Sequence, residues 1–334
     1  MIFIPIITYA SGTWGHAIHH SHNKRRLLSA QRRALLYIAK AYSTAPTSSL
    51  QVITRKPPID LYITLCTKKW KIKHKEEITI NSNCINPMDI EQNIPYSKTI
   101  DFSQIINLND DIPHSAITIY TDGSKADDRV GCSFVVYTNS EESYHKKFRL
   151  ANHCSIIQAE LLAILEDFTW CSELHSHTDI HIITDSTAAI QIIRNNNTHP
   201  TANKIKKILL RSSNNYYLTW TKAHQGTRRN EWADTLAKEA TTDDSLPIQY
   251  NAIPFSHICK TLWEELQINW QTAWDKDHNI TTYAYLPNIK HRNDLIWLNP
   301  SHNLTQFLTN HGRFNSYLNR FGFQDNNLCA YCGV

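Results

Sequence analysis

Residues 117–124 read Ile-Thr-Ile-Tyr-Thr-Asp-Gly-Ser, and the chain is best understood outward from them. Ile117 and Ile119 alternate with polar neighbours up to Asp122, the period-two pattern of a half-buried strand that Asp122 closes. Further strands are expected over 131–137 and 144–150, completing a meander. Ile157, Leu161, Ile164, Leu165 and Phe168 then share one helical face. Residues 180–184 form a short apolar strand, followed by helices over 186–194 and about 202–210. A strand over 217–221 and a helix over 230–240 close the region. Strands joined through helices run parallel with right-handed crossovers, whereas the initial meander is antiparallel. The prediction for 114–243 is therefore an α/β fold, a mixed five-stranded sheet with flanking helices.

Four acids punctuate this region: Asp122 in Tyr-Thr-Asp-Gly-Ser (120–124), Glu160 in Gln-Ala-Glu-Leu (158–161), Asp185 in Ile-Thr-Asp-Ser (183–186) and Asp234 in Asn-Glu-Trp-Ala-Asp (230–234). Asp122 and Asp185 each close a strand, at the edge where α/β sheets bind ligands. Glu160 sits one turn from Ile157 and from Ile164, bordering the buried face of its helix. Asp234 lies near a helix start, where the dipole favours an anion. Singly, each has a structural explanation: Asp122 as turn former, Asp185 and Asp234 as helix-capping acids. Together they predict an anionic pocket that needs cations, and hard oxygen donors suit Mg²⁺ or Mn²⁺. Two such ions roughly 3.5–4 Å apart clamp the attacking and leaving oxygens of a phosphodiester hydrolysis. His224, in the polar loop Thr-Lys-Ala-His-Gln-Gly (221–226), is either a proton shuttle beside that pocket or a solvent-exposed loop histidine.

The flanks differ in charge. At 334 residues the chain holds two or three domains, and 41% hydrophobic with 19% charged residues is a globular composition. Net charge is +4, yet residues 1–75 carry 13 Lys and Arg against one acid, Asp60. This first quarter reads as an arm on phosphates, or as a solvated basic helix. Within 1–80, Leu27, Leu28, Gln31, Leu35, Ile38 and Ala39 form a helical stripe, with Arg25, Arg26, Arg32 and Arg33 around it. Residues 81–113, rich in Asn, Ser, Ile and Pro, read as a linker. In 244–334, Ile258, Leu262, Leu266, Trp270 and Trp274 recur every four residues as a core or domain-contact stripe, nucleic-acid stacking by the tryptophans being the lesser alternative.

Eight cysteines in a chain this long do not make a disulfide framework. Cys66, Cys84, Cys132, Cys154, Cys171 and Cys259 are expected to be buried thiols of a reducing compartment, and only Cys329 and Cys332 have ligand spacing. His16, His19, His20 and His22 read as surface residues. The opening apolar run is broken by Pro5 and lacks a basic leader, and no later stretch approaches the ~20 apolar residues of a span. The expectation is an intracellular protein, neither secreted nor membrane-bound.

The ordered motifs resemble type 1 ribonuclease H. The aspartate motif after the first strand, the Ala-Glu-Leu helix (159–161), the second Asp-Ser (185–186) and the His224…Asn-Glu-x-Ala-Asp ending (230–234) follow that family's order over about 114–243. The resemblance implies an endonuclease that hydrolyses the RNA strand of RNA–DNA hybrids. It implies Asp122, Glu160, Asp185 and Asp234 as ligands of two Mg²⁺ ions, or Mn²⁺ in their place, with Asp122 bridging both, and His224 assisting proton transfer or product release. A hybrid is recognised by shape and backbone contacts. Lys204, Lys207 and Arg211 share a helix face opposite Ile205, Ile208 and Leu209, and with Ser124, Arg228 and Arg229 they are candidate contacts. For the lysines, a solvated face is an equal alternative. The expected partner is thus a nucleic-acid hybrid, with no small-molecule substrate, and the protein is expected to act as a monomer.

Residues 5–15 and the Gln31–Arg33 helix look like the tail of a reverse transcriptase, in particular that of jockey-like non-LTR retrotransposons. Residues 308–322 and the Cys329-x-x-Cys332 pair look like the region after ribonuclease H in the same polyproteins. On this resemblance, 1–80 is a basic helical remnant of the reverse transcriptase and 244–334 a helical region ending in a truncated cysteine pair. Neither polymerase activity nor zinc binding is expected. Departures are Arg229 and Ala223, where relatives commonly carry glycine, and Ser155-Ile156-Ile157 in place of hybrid-reading asparagines. A left-handed backbone at 229 would cost an arginine on the order of 1 kcal/mol. The rival reading is a catalytically decayed nucleic-acid-binding fragment. An integrase-like nuclease is disfavoured because Glu160 follows the meander and precedes Asp185.

Overall fold

The computed structural model describes residues 3–95, 98, 117–174, 176–195, 198–222, 228–328 and 333. The chain forms two compact units, one of Met1–Pro87 with Cys259–Val334 and one of Met88–Ile258.

The first unit opens with helices α1 (Phe3–Thr8), α2 (Ser11–Trp14), α3 (Ser21–Ala39), α4 (Thr47–Thr54) and α5 (Ile59–Lys73). A hairpin of β1 (Ile78–Ile80) and β2 (Asn83–Ile85) follows. The stripe of α3 buries Gln31, Leu35 and Ala39, and Leu35 and Ala39 pack with Ala45 and Leu50. Gln31 is a polar member of that stripe and is well engaged. Its amide donates to the Pro57 carbonyl at 2.7 Å, while its oxygen accepts from Gln51 at 2.9 Å and the Ile59 N–H at 3.1 Å. A buried amide with such partners costs little to hide.

The central unit carries β3 (Ile117–Ala126), β4 (Arg129–Thr138), β5 (Glu141–Leu150), α6 (Ile156–Leu174), β6 (Asp179–Thr184), α7 (Thr187–Arg194), α8 (Pro200–Arg211), β7 (Asn215–Trp220), α9 (Arg228–Thr242) and β8 (Ile248–Tyr250). Its sheet runs β7-β6-β3-β4-β5-β8, antiparallel through the meander and parallel at β3–β6, β6–β7 and β5–β8. The mixed sheet expected from the sequence is present with one strand more. The addition, β8, is three residues long, too short to show a period. One sheet face packs Ile119, Phe134, Leu161, Phe168, Ile182 and Ile205 into the main core. The other packs Tyr120, Val135 and Tyr137 against Ala233 and Leu236 of α9.

Strand β3 does not stop at Asp122 but continues to Ala126, pairing Asp122 with Ser133. The turn that ends β3 lies at Asp127 and Asp128, whose φ values of 47° and 59° suit a tight hairpin. Part of the stretch read as linker is also tied down. Ile90 bridges Ile253, and Ile94 N–H reaches the Thr198 carbonyl at 2.9 Å.

The first unit resumes within α10 (Phe255–Asp275) and continues with α11 (Thr281–Tyr285), α12 (Ile289–Asp294), α13 (His302–Thr309) and α14 (Asn315–Arg320). The four-residue stripe of α10 is core: Trp270 and Trp274 are 3% and 1% exposed, and Trp274 Nε1 donates to the Leu286 carbonyl at 2.9 Å. That burial removes the stacking alternative for these tryptophans. Cys132, Cys154 and Cys171 are buried as expected, but Cys84 lies exposed in the β2 strand of a small hairpin. Among the described residues no helix is long and apolar enough to cross a membrane.

Candidate metal centre

Parallel pairing of β3 with β6 ends at Thr121 opposite Thr184. Asp122 and Asp185 are the next residues on each, so adjacent strands deliver two carboxylates side by side. Helix α6 brings the third, and Gly123 is what lets it approach. A Cβ at Gly123 would lie 2.8 Å from the Glu160 backbone nitrogen and 3.1 Å from the Ala159 carbonyl carbon. The Gly123 N–H donates to the Glu160 carboxylate. One oxygen from each of Asp122, Glu160 and Asp185 falls within 4.8 Å of the others. Asp122 and Glu160 are 5% and 6% exposed.

Asp234 arrives from the opposite face. Ser133, the register partner of Asp122, donates its hydroxyl to the Ala233 carbonyl at 2.7 Å, fastening α9 to the sheet one residue before Asp234. Asp234 stands outside the tight trio. Its carboxylate accepts from Lys238 Nζ at 2.7 Å, one turn along α9.

The electrostatics follow from this crowding. Burial, then the charges of Asp185 and Asp234, push the Asp122 carboxyl up to about 7, with Lys238 pulling it back. Burial, then Asp122 and Asp185, hold Glu160 well above the usual carboxylate range against the Gly123 N–H. Among the described residues, Glu160 Oε2 is buried without a hydrogen-bond partner. An orphaned carboxylate oxygen beside two more acids is a donor set that a divalent cation satisfies, and all-oxygen ligation fits Mg²⁺ or Mn²⁺.

The other expected site residues divide. His224 lies outside the described residues, as do Cys329 and Cys332. Ser124 is buried in β3 opposite Gly131. Lys204, Lys207 and Arg211 are exposed on α8 while Ile205 and Leu209 are buried. Lys206 between them points inward, its ammonium donating to the Asn195 carbonyl at 2.8 Å. Arg228 is exposed at the start of α9. Arg229 has helical rather than left-handed backbone, so the anticipated strain does not arise. Its guanidinium lies 4.7 Å over the Tyr137 ring and donates to the Ser140 carbonyl at 3.0 Å.

Sequence reasoning missed Lys238, Ser133 and the steric demand at Gly123. Lys238 was findable, standing four residues after Asp234 on a helix. Ser133 has no local signal, because its value depends on Ala233, a partner far along the chain.

Residues 114–242 match the family model described as RNase H. Among solved structures, RNase H1 from the halophilic archaeon Halobacterium salinarum NRC-1 is similar at 17% identity, over 38% of this chain and 98% of that one, with a TM-score of 0.33. No curated protein matches the chain.

Proposed function

We propose that this protein is an endonuclease that hydrolyses the RNA strand of RNA–DNA hybrids at the Asp122–Glu160–Asp185 cluster. The observation that carries the reading is three acids offering oxygens within 4.8 Å, two of them buried. Such repulsion persists in a fold chiefly where function requires it. The RNase H match over 114–242 supports the substrate class. In this reading Asp122, Glu160, Asp185 and Asp234 would hold two Mg²⁺ or Mn²⁺ ions. When bound, the ions supply charge neutralisation at the phosphodiester and activation of the attacking water.

The chain's own groups do the rest. Gly123 orients Glu160 through its N–H, and Lys238 fixes the rotamer of Asp234. His224 moves the proton released near neutral pH. Ser124, Lys204, Lys207, Arg211, Arg228 and Arg229 seat the hybrid backbone, Arg229 partly by holding the Ser140 turn. The flanking motifs at 5–15 and 308–322 support a setting in a non-LTR retrotransposon polyprotein, where the activity would clear template RNA after first-strand synthesis.

The test is cleavage of an end-labelled hybrid with Mg²⁺. The natural chain should cut the RNA strand and spare the DNA, and Asp122→Asn should lose on the order of 10²-fold or more. Equal rates in both, or none in either, would reject the catalytic assignment. Salt-dependent binding without cutting would instead favour a decayed binding fragment.

A further inference from the structure

Helix α3 carries a face that its packing leaves unused. His22, Arg26, Ser29, Arg33, Tyr37 and Lys40 recur at three- and four-residue intervals, which places them along one side. All six are exposed, opposite the buried Gln31, Leu35 and Ala39. At 1.5 Å per residue the row is about 27 Å long.

The remaining cations of the helix are spoken for. Lys24 pairs with Asp60 at 2.6 Å, Arg25 returns to the Ser21 carbonyl at 3.4 Å, and Arg32 donates to the Ala45 carbonyl at 2.7 Å. By contrast, the side chains of Arg26, Arg33 and Lys40 have no hydrogen-bond or ion-pair partner among the described residues. No acid lies anywhere on α3, and the one acid of the first 75 residues is the Asp60 already paired. Positive charge in one row, unpaired among the described residues and with no acid on its own helix, is complementary to a polyanion.

Tyr37 narrows the partner. Its ring is 86% exposed, one turn from Arg33 and one from Lys40. An aromatic platform between free cations is the combination that grips unpaired nucleotides, phosphates on the cations and a base on the ring. A paired duplex keeps its bases stacked inside and leaves the tyrosine without a role. An anionic membrane would want an apolar face beside the charges, and Ser29 occupies the middle of this row.

We infer that this face of α3 binds single-stranded nucleic acid, with Arg26, Arg33 and Lys40 on phosphates and Tyr37 stacked on a base. The surface lies outside the segment matched by the RNase H model and does not rest on hydrolysis.

The test uses the full chain in a chelator, so that no cleavage intervenes, and follows fluorescence anisotropy of a labelled single-stranded DNA oligonucleotide over a range of salt. Arg26→Gln with Arg33→Gln should reduce the slope of log affinity against log salt by about 1.4, at roughly 0.7 for each phosphate no longer neutralised. Lys40 is left alone because it closes α3 at φ 51°. Tyr37→Ala should weaken binding by roughly 5- to 100-fold, whereas Tyr37→Phe should retain it. These side chains are exposed and unpartnered, and thermal melting of each variant confirms an intact fold. Unchanged affinity and slope in the arginine variant would overturn the proposal. So would equal binding by Tyr37→Ala, by a duplex of the same length, or by anionic vesicles. Because nothing is cut, this result stands whether or not the hybrid is a substrate.

Discussion

Asp122 is asked to carry a charge where the fold disfavours one. Its carboxyl is raised from 3.8 to about 7 by burial and by Asp185 and Asp234. An acid raised on folding leaves stability intact below its unfolded value, and stability is then lost as pH climbs to the folded value. The metal-free protein should therefore weaken between about pH 4 and pH 7, by on the order of 4 kcal/mol from this group at full effect. Asp122→Asn should raise the metal-free Tm at pH 7.5, and added Mg²⁺ should stabilise the natural chain far more than the variant. Melting curves with and without chelator check both. Asp167 offers a control away from the site. It is fully buried on α6, pushed to about 8 by burial, with the Cys171 thiol its one hydrogen-bond donor among the described residues, at 3.3 Å. Asp167→Asn should raise Tm at pH 7.5, change little near pH 4, and be indifferent to Mg²⁺. The carboxylate motifs were legible because they sit in short, ordered settings. The burial of Asp167 was not, because an acid at a helical position reads as a solvated face until the packing is known.

Between elements, the interactions that assemble the site join residues far apart in sequence. Apolar periodicity located α7, α8 and β6 to within a few residues and found the buried face of α6, since their cores repeat regularly. It misplaced the end of β3, because the alternation runs only to Asp122, and it does not show that the hydrogen side chain of Gly123 is needed for the approach of α6. It also missed β8, whose three residues pair with β5 after the RNase H segment has ended. Ser133 shows what such blindness costs. Its hydroxyl joins β4 to α9 beside Asp234 in a buried setting, so Ser133→Ala should destabilise by roughly 0.5–1.5 kcal/mol through the loss of that hydrogen bond. Hybrid cleavage at saturating Mg²⁺ should fall further than that stability loss explains at temperatures well below Tm. Steady-state kinetics beside a melting curve separate the two effects.

At the scale of the whole chain, the charge contrast was plain in the sequence, while the pairing of its ends was not. Residues 1–87 and 259–334 form one unit through interactions with no local signature. Thr305 Oγ1 donates to the Ala39 carbonyl at 2.7 Å, and the buried Arg292 donates to the carbonyls of Ile53, Leu295 and Leu298. Arg292→Leu should cost on the order of 3 kcal/mol by orphaning the Ile53 and Leu298 carbonyls, read as a lowered Tm. Truncation at residue 75 would remove much of this unit's core, so its basic surface is better probed by substitution than by deletion.

The metal centre itself is most directly tested by diffraction from crystals grown with Mn²⁺, recorded where manganese scatters anomalously. The expected result is strong anomalous density among the carboxylates of Asp122, Glu160 and Asp185, lost in Asp122→Asn. Manganese bound elsewhere on the protein with that position empty would contradict the account.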